Sequence, residues 1–283
     1  MKKIYGLFRL IRFELPFSAG VCVVMGQLLA LGSFASVAKT VFGFFSVFFI
    51  SASILVLNDY FDVETDKINA PDRPLPSKTV SMPEALLLSV LLLISGLILS
   101  YILGIITLIF TLILSVIGFL YNRRFKSSGL PGNMMVSFSV GMTFIYGGAS
   151  VGLPFNKMAW FFGLIAALID LGEEIAADAM DMQGDRLIQS NSLAIRYGKY
   201  TALRISCGIF FLVILLTGLP FILNWFRIIY LAPILVMDIA IAYSSVQLLR
   251  SRGEEGRKYI RRLYLGATAG LLIFILMRLI LNS

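Results

Sequence analysis

Apolar residues in this chain run in blocks too long and too even to be the faces of amphipathic helices. Nine stretches, at 15–33, 38–57, 84–102, 105–121, 131–150, 158–176, 204–223, 228–248 and 263–281, are almost continuously hydrophobic. Each approaches the ~20 residues that a helix needs to cross the hydrocarbon of a bilayer. A transmembrane barrel would show short segments of alternating apolar and polar residues, whereas LLLSVLLLISGLILSYILG at 86–104 is apolar on all sides. The pattern predicts an all-α polytopic membrane protein with nine spanning helices. Its only long polar connections are 58–83, 174–203 and 249–262. There is no linker or low-complexity tract, so residues 1–283 read as a single transmembrane domain. A faint echo runs through it: an acidic run follows the second and the sixth stretch, and a basic loop follows the fourth and the eighth. This suggests two four-helix halves plus a ninth helix, although the halves are too dissimilar to establish a repeat.

Composition agrees with the pattern. Over 283 residues, 58% are hydrophobic, 14% are charged, and the mean hydropathy is +0.89. Cytoplasmic loops of membrane proteins retain Lys and Arg. With nine helices and the N-terminus inside, all but four of the 24 basic residues fall on the cytoplasmic side, the exceptions being Lys39, Lys157, Arg227 and Arg278. The C-terminus is then outside, in a cell-membrane protein. The net charge of +8 is scattered over loops beside the membrane, which fits topology and anionic headgroups and gives no indication of nucleic acid. The basic start MKK resembles a signal peptide, but the apolar stretch after it exceeds the usual 7–15 residue core, so a spanning helix is expected. Cys22 and Cys207 lie far apart within apolar stretches and read as packing residues without redox or metal spacing. No feature calls for an obligatory protein partner.

Candidate chemistry sits in two acidic runs. NDYFDVETD at 58–66 and EIAADAMDMQGD at 174–185 hold half of the chain's sixteen carboxylates. Asn58, Asp62 and Asp66 recur every four residues, and Glu174, Asp178, Asp181 and Asp185 step by four, three and four. On a helix each set shares a face, where stacked like charges repel unless a cation holds them. A solvated loop would explain any one of these acids, but two periodic runs on one side of the membrane ask for more. Carboxylate and amide oxygens are hard ligands that favour Mg²⁺, and the chain contains no His. Mg²⁺ held by a few carboxylates completes its shell with water and phosphate, so a diphosphate substrate is implied. After the first run comes INAPDRPLPS at 68–77, whose three prolines stop the helix and fix an extended turn. That turn sends Arg73 back towards the carboxylates, where a guanidinium grips phosphate oxygens in a fork.

NDYFDVETDKINAPDRPLPS resembles the first signature of the UbiA superfamily of intramembrane prenyltransferases, Asn-x3-Asp-x3-Asp followed by Pro-Asp-Arg-Pro, and Asp181-Met-Gln-Gly-Asp185 resembles the second. The resemblance extends over the whole chain. It implies nine helices around a central cavity open to the bilayer, and transfer of a polyprenyl group from its diphosphate to a lipophilic acceptor. Carried over by position, Asn58, Asp62, Asp181 and Asp185 hold Mg²⁺ and the diphosphate. Asp66 joins the metal set and Asp178 supports the cluster. Tyr121 and Lys126 of YNRRFK match the family's diphosphate contacts in the next cytoplasmic loop, alongside Arg73, while Arg123 and Arg124 read as topology residues.

Two acids, Asp170 and Asp238, fall inside apolar stretches, where a charge needs a partner or a wet cavity. Asp170 lies one turn before Glu174, and both are candidates for the acceptor side. The second signature is most similar to the archaeal branch that makes digeranylgeranylglyceryl phosphate, an ether-lipid precursor. That branch places a basic residue where Glu173 stands and often Lys where Ala177 stands, so an aromatic acceptor in quinone synthesis stays open. A cation-coupled transporter with paired acids and rocking half-repeats is an alternative of another class. It would place its acids near the midplane, beside broken helices.

Overall fold

A computed structural model describes residues 2–182, 186, 189–251 and 255–281, and every regular element among them is helical. The helices are α1 (Lys2–Ile11), α2 (Glu14–Leu31), α3 (Val37–Phe61), α4 (Val63–Asn69), α5 (Met82–Leu103), α6 (Ile105–Leu120), α7 (Leu130–Ser150), α8 (Lys157–Met180), α9 (Leu193–Tyr197), α10 (Lys199–Ile222), α11 (Leu231–Arg250) and α12 (Gly256–Leu281). A π-helical turn (Tyr121–Phe125) continues α6, and a 3₁₀ turn (Ile228–Tyr230) precedes α11.

Each of the nine apolar stretches carries one of these helices. Among the described residues, seven are long and apolar enough to cross a membrane: α2, α3, α5, α6 with its π turn, α10, α11 with its 3₁₀ turn, and α12. The other two are more polar, for different reasons. Gly, Ser and Asn interrupt α7, whereas α8 carries Asp170, Glu173, Glu174 and Asp178. The protein is an all-helical integral membrane protein.

The chain forms two compact units, one of Met1–Arg124 with Met142–Trp160 and one of Phe125–Gly141 with Phe161–Ser283. In the first, α3 is the centre, packed by α1, α2, α5 and α6. Lipid is as apolar as leucine, so small residues and buried hydroxyls take over the work of association. A methyl group on Gly26 of α2 would run into the Phe144 carbonyl of α7, and one on Gly147 of α7 would run into the Val23 carbonyl of α2. The two backbones therefore touch where they cross. Beside that crossing, the fully buried Tyr146 joins Ser46 (2.6 Å) and Ser100 (2.9 Å) through its hydroxyl. Ser53 bonds Ser89 at 3.0 Å, tying α3 to α5.

One core cluster of this unit, Leu10, Ala52, Val56, Leu75, Val80, Ala85 and Leu92, joins α1, α3 and α5 to the turn after α4. That turn follows from sequence. The N–H of Ala70 caps α4 on the Asp66 carbonyl, and Pro71 then prevents continuation. Bonds from Arg73 N to Ala70 O and from Val80 N to Pro74 O, at 3.0 and 3.1 Å, fold the segment on itself. Between α1 and α2 the chain turns at Arg12, a non-glycine residue with φ of +49°. Such a conformation costs roughly 1–2 kcal/mol, and an arginine occupies it because its side chain is engaged elsewhere, as described below.

In the second unit, α11 lies against α10 and α12. Phe161, Phe162, Phe226, Tyr230 and Phe274 form an aromatic cluster with centroids 4.9–6.2 Å apart. The Phe210 ring occupies the space that a side chain at Gly172 would need, and Ser206 bonds the Gly172 carbonyl at 2.7 Å.

Candidate functional site

The first acidic run is helical, with a joint in its middle. α3 ends at Phe61, Asp62 adopts φ −88° and ψ 0°, and α4 begins at Val63. The i to i−4 bonds of Asp62 N to Asn58 O (3.0 Å) and Asp66 N to Asp62 O (2.8 Å) carry through the joint, so the spacing of four retains its meaning. Asn58, Asp62 and Asp66 thus belong to nearly continuous helix.

Each end of the run is fixed by a partner. Asn58 Nδ2 donates to Asn122 Oδ1 at 3.0 Å, and Asn122 Nδ2 donates to the Ile54 carbonyl at 2.9 Å. This relay turns the nitrogen of the Asn58 amide towards Asn122 and so decides which way its oxygen points. At the other end, Arg73 Nη1 lies 2.6 Å from Asp66 Oδ2 and 3.7 Å from Asp59 Oδ1. Asp59 is buried, 3% exposed, and also pairs with Arg12 across the α1–α2 elbow. Burial works against the Arg73 charge, but the hydrogen bond it donates to Asp66 and the fields of Asp59, Asp66 and Asp62 outweigh it. Its pKa is raised. The Pro-rich turn therefore delivers a permanently cationic guanidinium to the acidic run.

In the second unit, polar residues of α7 meet acids of α8. Asn133 Nδ2 donates to Asp178 Oδ2 and Ser137 Oγ donates to Asp170 Oδ2, each at 2.9 Å. Gly141, four residues further on, abuts the Gly163 backbone, where a methyl group would come within 2.6 Å of the carbonyl. Glu174 and Asp178 lie on α8, and Asp181 follows its end, 3.6 Å from Arg257 with both side chains exposed. Glu173 Oε1 is buried without a hydrogen-bond partner among the described residues. Asp185, the last acid of the second signature, lies outside the described residues. Asp238 accepts from Thr217 at 3.0 and 3.1 Å, a satisfied intramembrane acid.

Tyr121 opens the π turn and Lys126 follows it, exposed, as are Arg123 and Arg124. The candidate ligand atoms of the acidic runs are carboxylate and amide oxygens, the kind that suit a hard cation such as Mg²⁺. Within either unit no three acids among the described residues stand together as a metal cage. Sequence reasoning overlooked Asn122, Asp59, Arg12, Asn133 and Ser137. A signal for the last two was present, since they are polar residues four apart in an apolar stretch.

A model of the UbiA prenyltransferase family matches residues 19–277. The chain is 36% identical to digeranylgeranylglyceryl phosphate synthase of Methanocaldococcus jannaschii over 256 residues, covering 90% of this chain and 89% of that one. It is 33% identical to the enzyme of the same name from Methanococcus aeolicus over 264 residues, covering 92% and 93%. A solved structure described as digeranylgeranylglyceryl phosphate synthase in membranes superposes with a TM-score of 0.86 at 34% identity, covering 99% of both chains. A UbiA homolog from Archaeoglobus fulgidus, bound to GPP and Mg²⁺, has a TM-score of 0.70 at 17% identity, covering 97% of this chain and 99% of that one. At that identity the likeness is one of fold.

Proposed function

The chain belongs to the UbiA prenyltransferase family and is a prenyltransferase, and from that premise we propose that it transfers a geranylgeranyl group from its diphosphate to geranylgeranylglyceryl phosphate, with Mg²⁺. The observation that carries this reading is the grip on Arg73, whose guanidinium is held 2.6 Å from Asp66 on the first acidic run. The two relatives named for the same product support the acceptor. The family match favours transfer chemistry over a cation-coupled transporter.

In the proposed reaction the bond between the allylic carbon and the diphosphate oxygen breaks, and the acceptor hydroxyl oxygen bonds to that carbon and loses its proton. Asn58, Asp62, Asp66, Asp181 and Asp185 would hold Mg²⁺, with Asp178 supporting the cluster. Bound there, the ion neutralises charge gathering on the departing diphosphate. Arg73, Tyr121 and Lys126 take the diphosphate oxygens, so the leaving group separates into a ready-made set of donors. Asp170 and Glu174 lie on the acceptor side, where a carboxylate can take the hydroxyl proton. Apolar helix walls exclude the water that would trap the allylic cation. Residues 1–283 act as one domain of nine spanning helices, two halves of four and a ninth, around a cavity open to the bilayer. Its N-terminus and acidic runs are cytoplasmic and its C-terminus is outside.

The test offers purified protein geranylgeranyl diphosphate and Mg²⁺ with geranylgeranylglyceryl phosphate, 4-hydroxybenzoate or dihydroxynaphthoate, identifying products by mass. The expected product is digeranylgeranylglyceryl phosphate, lost on chelation and restored by Mg²⁺. Prenylation of the aromatic acceptors alone would overturn the acceptor, and no product from any of them would overturn the reading.

A further inference from the structure

α1 has three sides of different character. Its inner side, with Gly6 and Leu10 buried, lies on the turn that carries Arg73: a methyl on Gly6 would come within 2.9 Å of Val80 and 3.0 Å of Thr79, and Leu10 shares a core with Leu75 and Val80. Arg9 Nη1 donates to the Asp72 carbonyl at 3.2 Å, Lys3 pairs with Glu84, and Arg12 pairs with Asp59. α1 is thus hydrogen-bonded to Asp72 before Arg73 and packed on Leu75 and Val80 after it.

A second side is apolar and uncovered. Ile4, Tyr5 and Phe8 are 63%, 67% and 68% exposed, and Phe13 and Leu15 continue the strip at 59% and 55%. A groove of about 510 Å³ runs along it at the elbow, with Arg9, Arg12 and the single acid Glu14 in its wall. The third side, adjoining the strip, carries Lys2 and Arg9. Every charged residue before Glu14 is basic. An apolar strip bordered by cations, leading directly into a membrane-spanning helix, has the design of a helix lying in the interface of an anionic bilayer.

We propose that α1 docks on the anionic headgroup surface of the cytoplasmic leaflet, and that this docking sets Arg73, so that anionic lipid strengthens capture of the prenyl diphosphate. The occupant is lipid because the charge is complementary to acidic headgroups and the strip is continuous with α2. The coupling is mechanical. α1 and the Arg73 turn share a core, the Arg9 side-chain hydrogen bond to the Asp72 carbonyl and, through the residue after α1, the Arg12–Asp59–Arg73 ion network, so an α1 that rocks on the surface moves Asp59 and Asp72 with it. Each basic side chain at such a surface contributes on the order of five-fold in binding. Lys2 and Arg9 border the strip. The effect on capture rests on the diphosphate role of Arg73 proposed above, whereas the docking does not.

The experiment places the full-length protein in nanodiscs of phosphatidylcholine alone or mixed with phosphatidylglycerol. Hydrogen exchange over residues 2–13 reads docking without any activity. Binding of geranylgeranyl diphosphate reads the coupling. Anionic lipid should slow exchange in α1 and tighten donor binding several-fold. Ile4→Ser with Phe8→Ser, two exposed positions, should abolish both responses while leaving binding in neutral nanodiscs unchanged. Exchange in α1 indifferent to anionic lipid, or responses that survive the double substitution, would overturn the proposal. Slowed exchange with no change in donor binding would overturn the coupling and leave the prenyltransferase reading intact.

Discussion

Asn122→Ala tests whether the orientation of one amide governs metal affinity. Asn58 is held by a relay, Asn58 Nδ2 to Asn122 Oδ1 at 3.0 Å and Asn122 Nδ2 to the Ile54 carbonyl at 2.9 Å. Asn122 is 8% exposed. A neutral hydrogen bond of this kind is worth about 1 kcal/mol net, which corresponds to roughly five-fold in an equilibrium. Without it the Asn58 amide can turn end for end, presenting nitrogen where oxygen is needed. Mg²⁺ affinity, titrated calorimetrically with an unreactive thiodiphosphate analogue of the donor, should therefore fall about five-fold, with turnover at saturating Mg²⁺ little changed. In an Asn58→Ala background the same substitution should do nothing further, giving a coupling of about 1 kcal/mol in the double-mutant cycle. Additive losses, or Mg²⁺ binding unchanged in the single variant, would refute the reasoning.

Asp62→Ala and Asp181→Ala should each abolish product formation while the protein elutes as a folded species; turnover retained in either removes that residue from the metal set. Arg12→Gly relieves a φ of +49° but leaves the buried Asp59 with Arg73 alone, at 3.7 Å. Because the Arg12 side chain is 28% exposed, the net loss of stability should be about 1–3 kcal/mol, below the usual range for a broken buried pair; a raised thermal midpoint would show that strain dominates. Gly26→Ala, which pushes a methyl into the Phe144 carbonyl, should destabilise by about 1–3 kcal/mol, and an unchanged midpoint would show that α2 and α7 can part without penalty.

The helices were legible because crossing a bilayer is a matter of length and composition, both of which a single chain displays. The acidic runs were legible because a period of four survives even the joint at Asp62. Arg73 could be placed too, since it lies only seven residues from Asp66 and prolines dictate the path between them. The partners were another matter. Asn58 and Asn122 are 64 positions apart, Arg12 and Asp59 are 47, and Asn133 and Asp178 are 45. A lone polar residue at the edge of an apolar run announces that it needs company, but helix rotation and crossing decide which company it finds. Asp59 was hidden for a related reason: it stands beside the periodic set, one position off its face, and its role appears only once α1 is folded over it.

The crossing of α2 and α7 has a consequence for how the protein is made. Gln27 and Ser150, which bond at 2.8 Å next to the two glycines, are separated by 123 residues. At roughly 5–20 residues per second of synthesis, that is on the order of 6–25 seconds during which α2 sits in the bilayer with its glycine face bare and the Gln27 side chain without its serine. This helix packs on α3 as soon as that follows it, but the face that meets α7 stays open until α7 is made. It is the place where an insertion chaperone, or a foreign helix with a small-residue face, would have the most time to act.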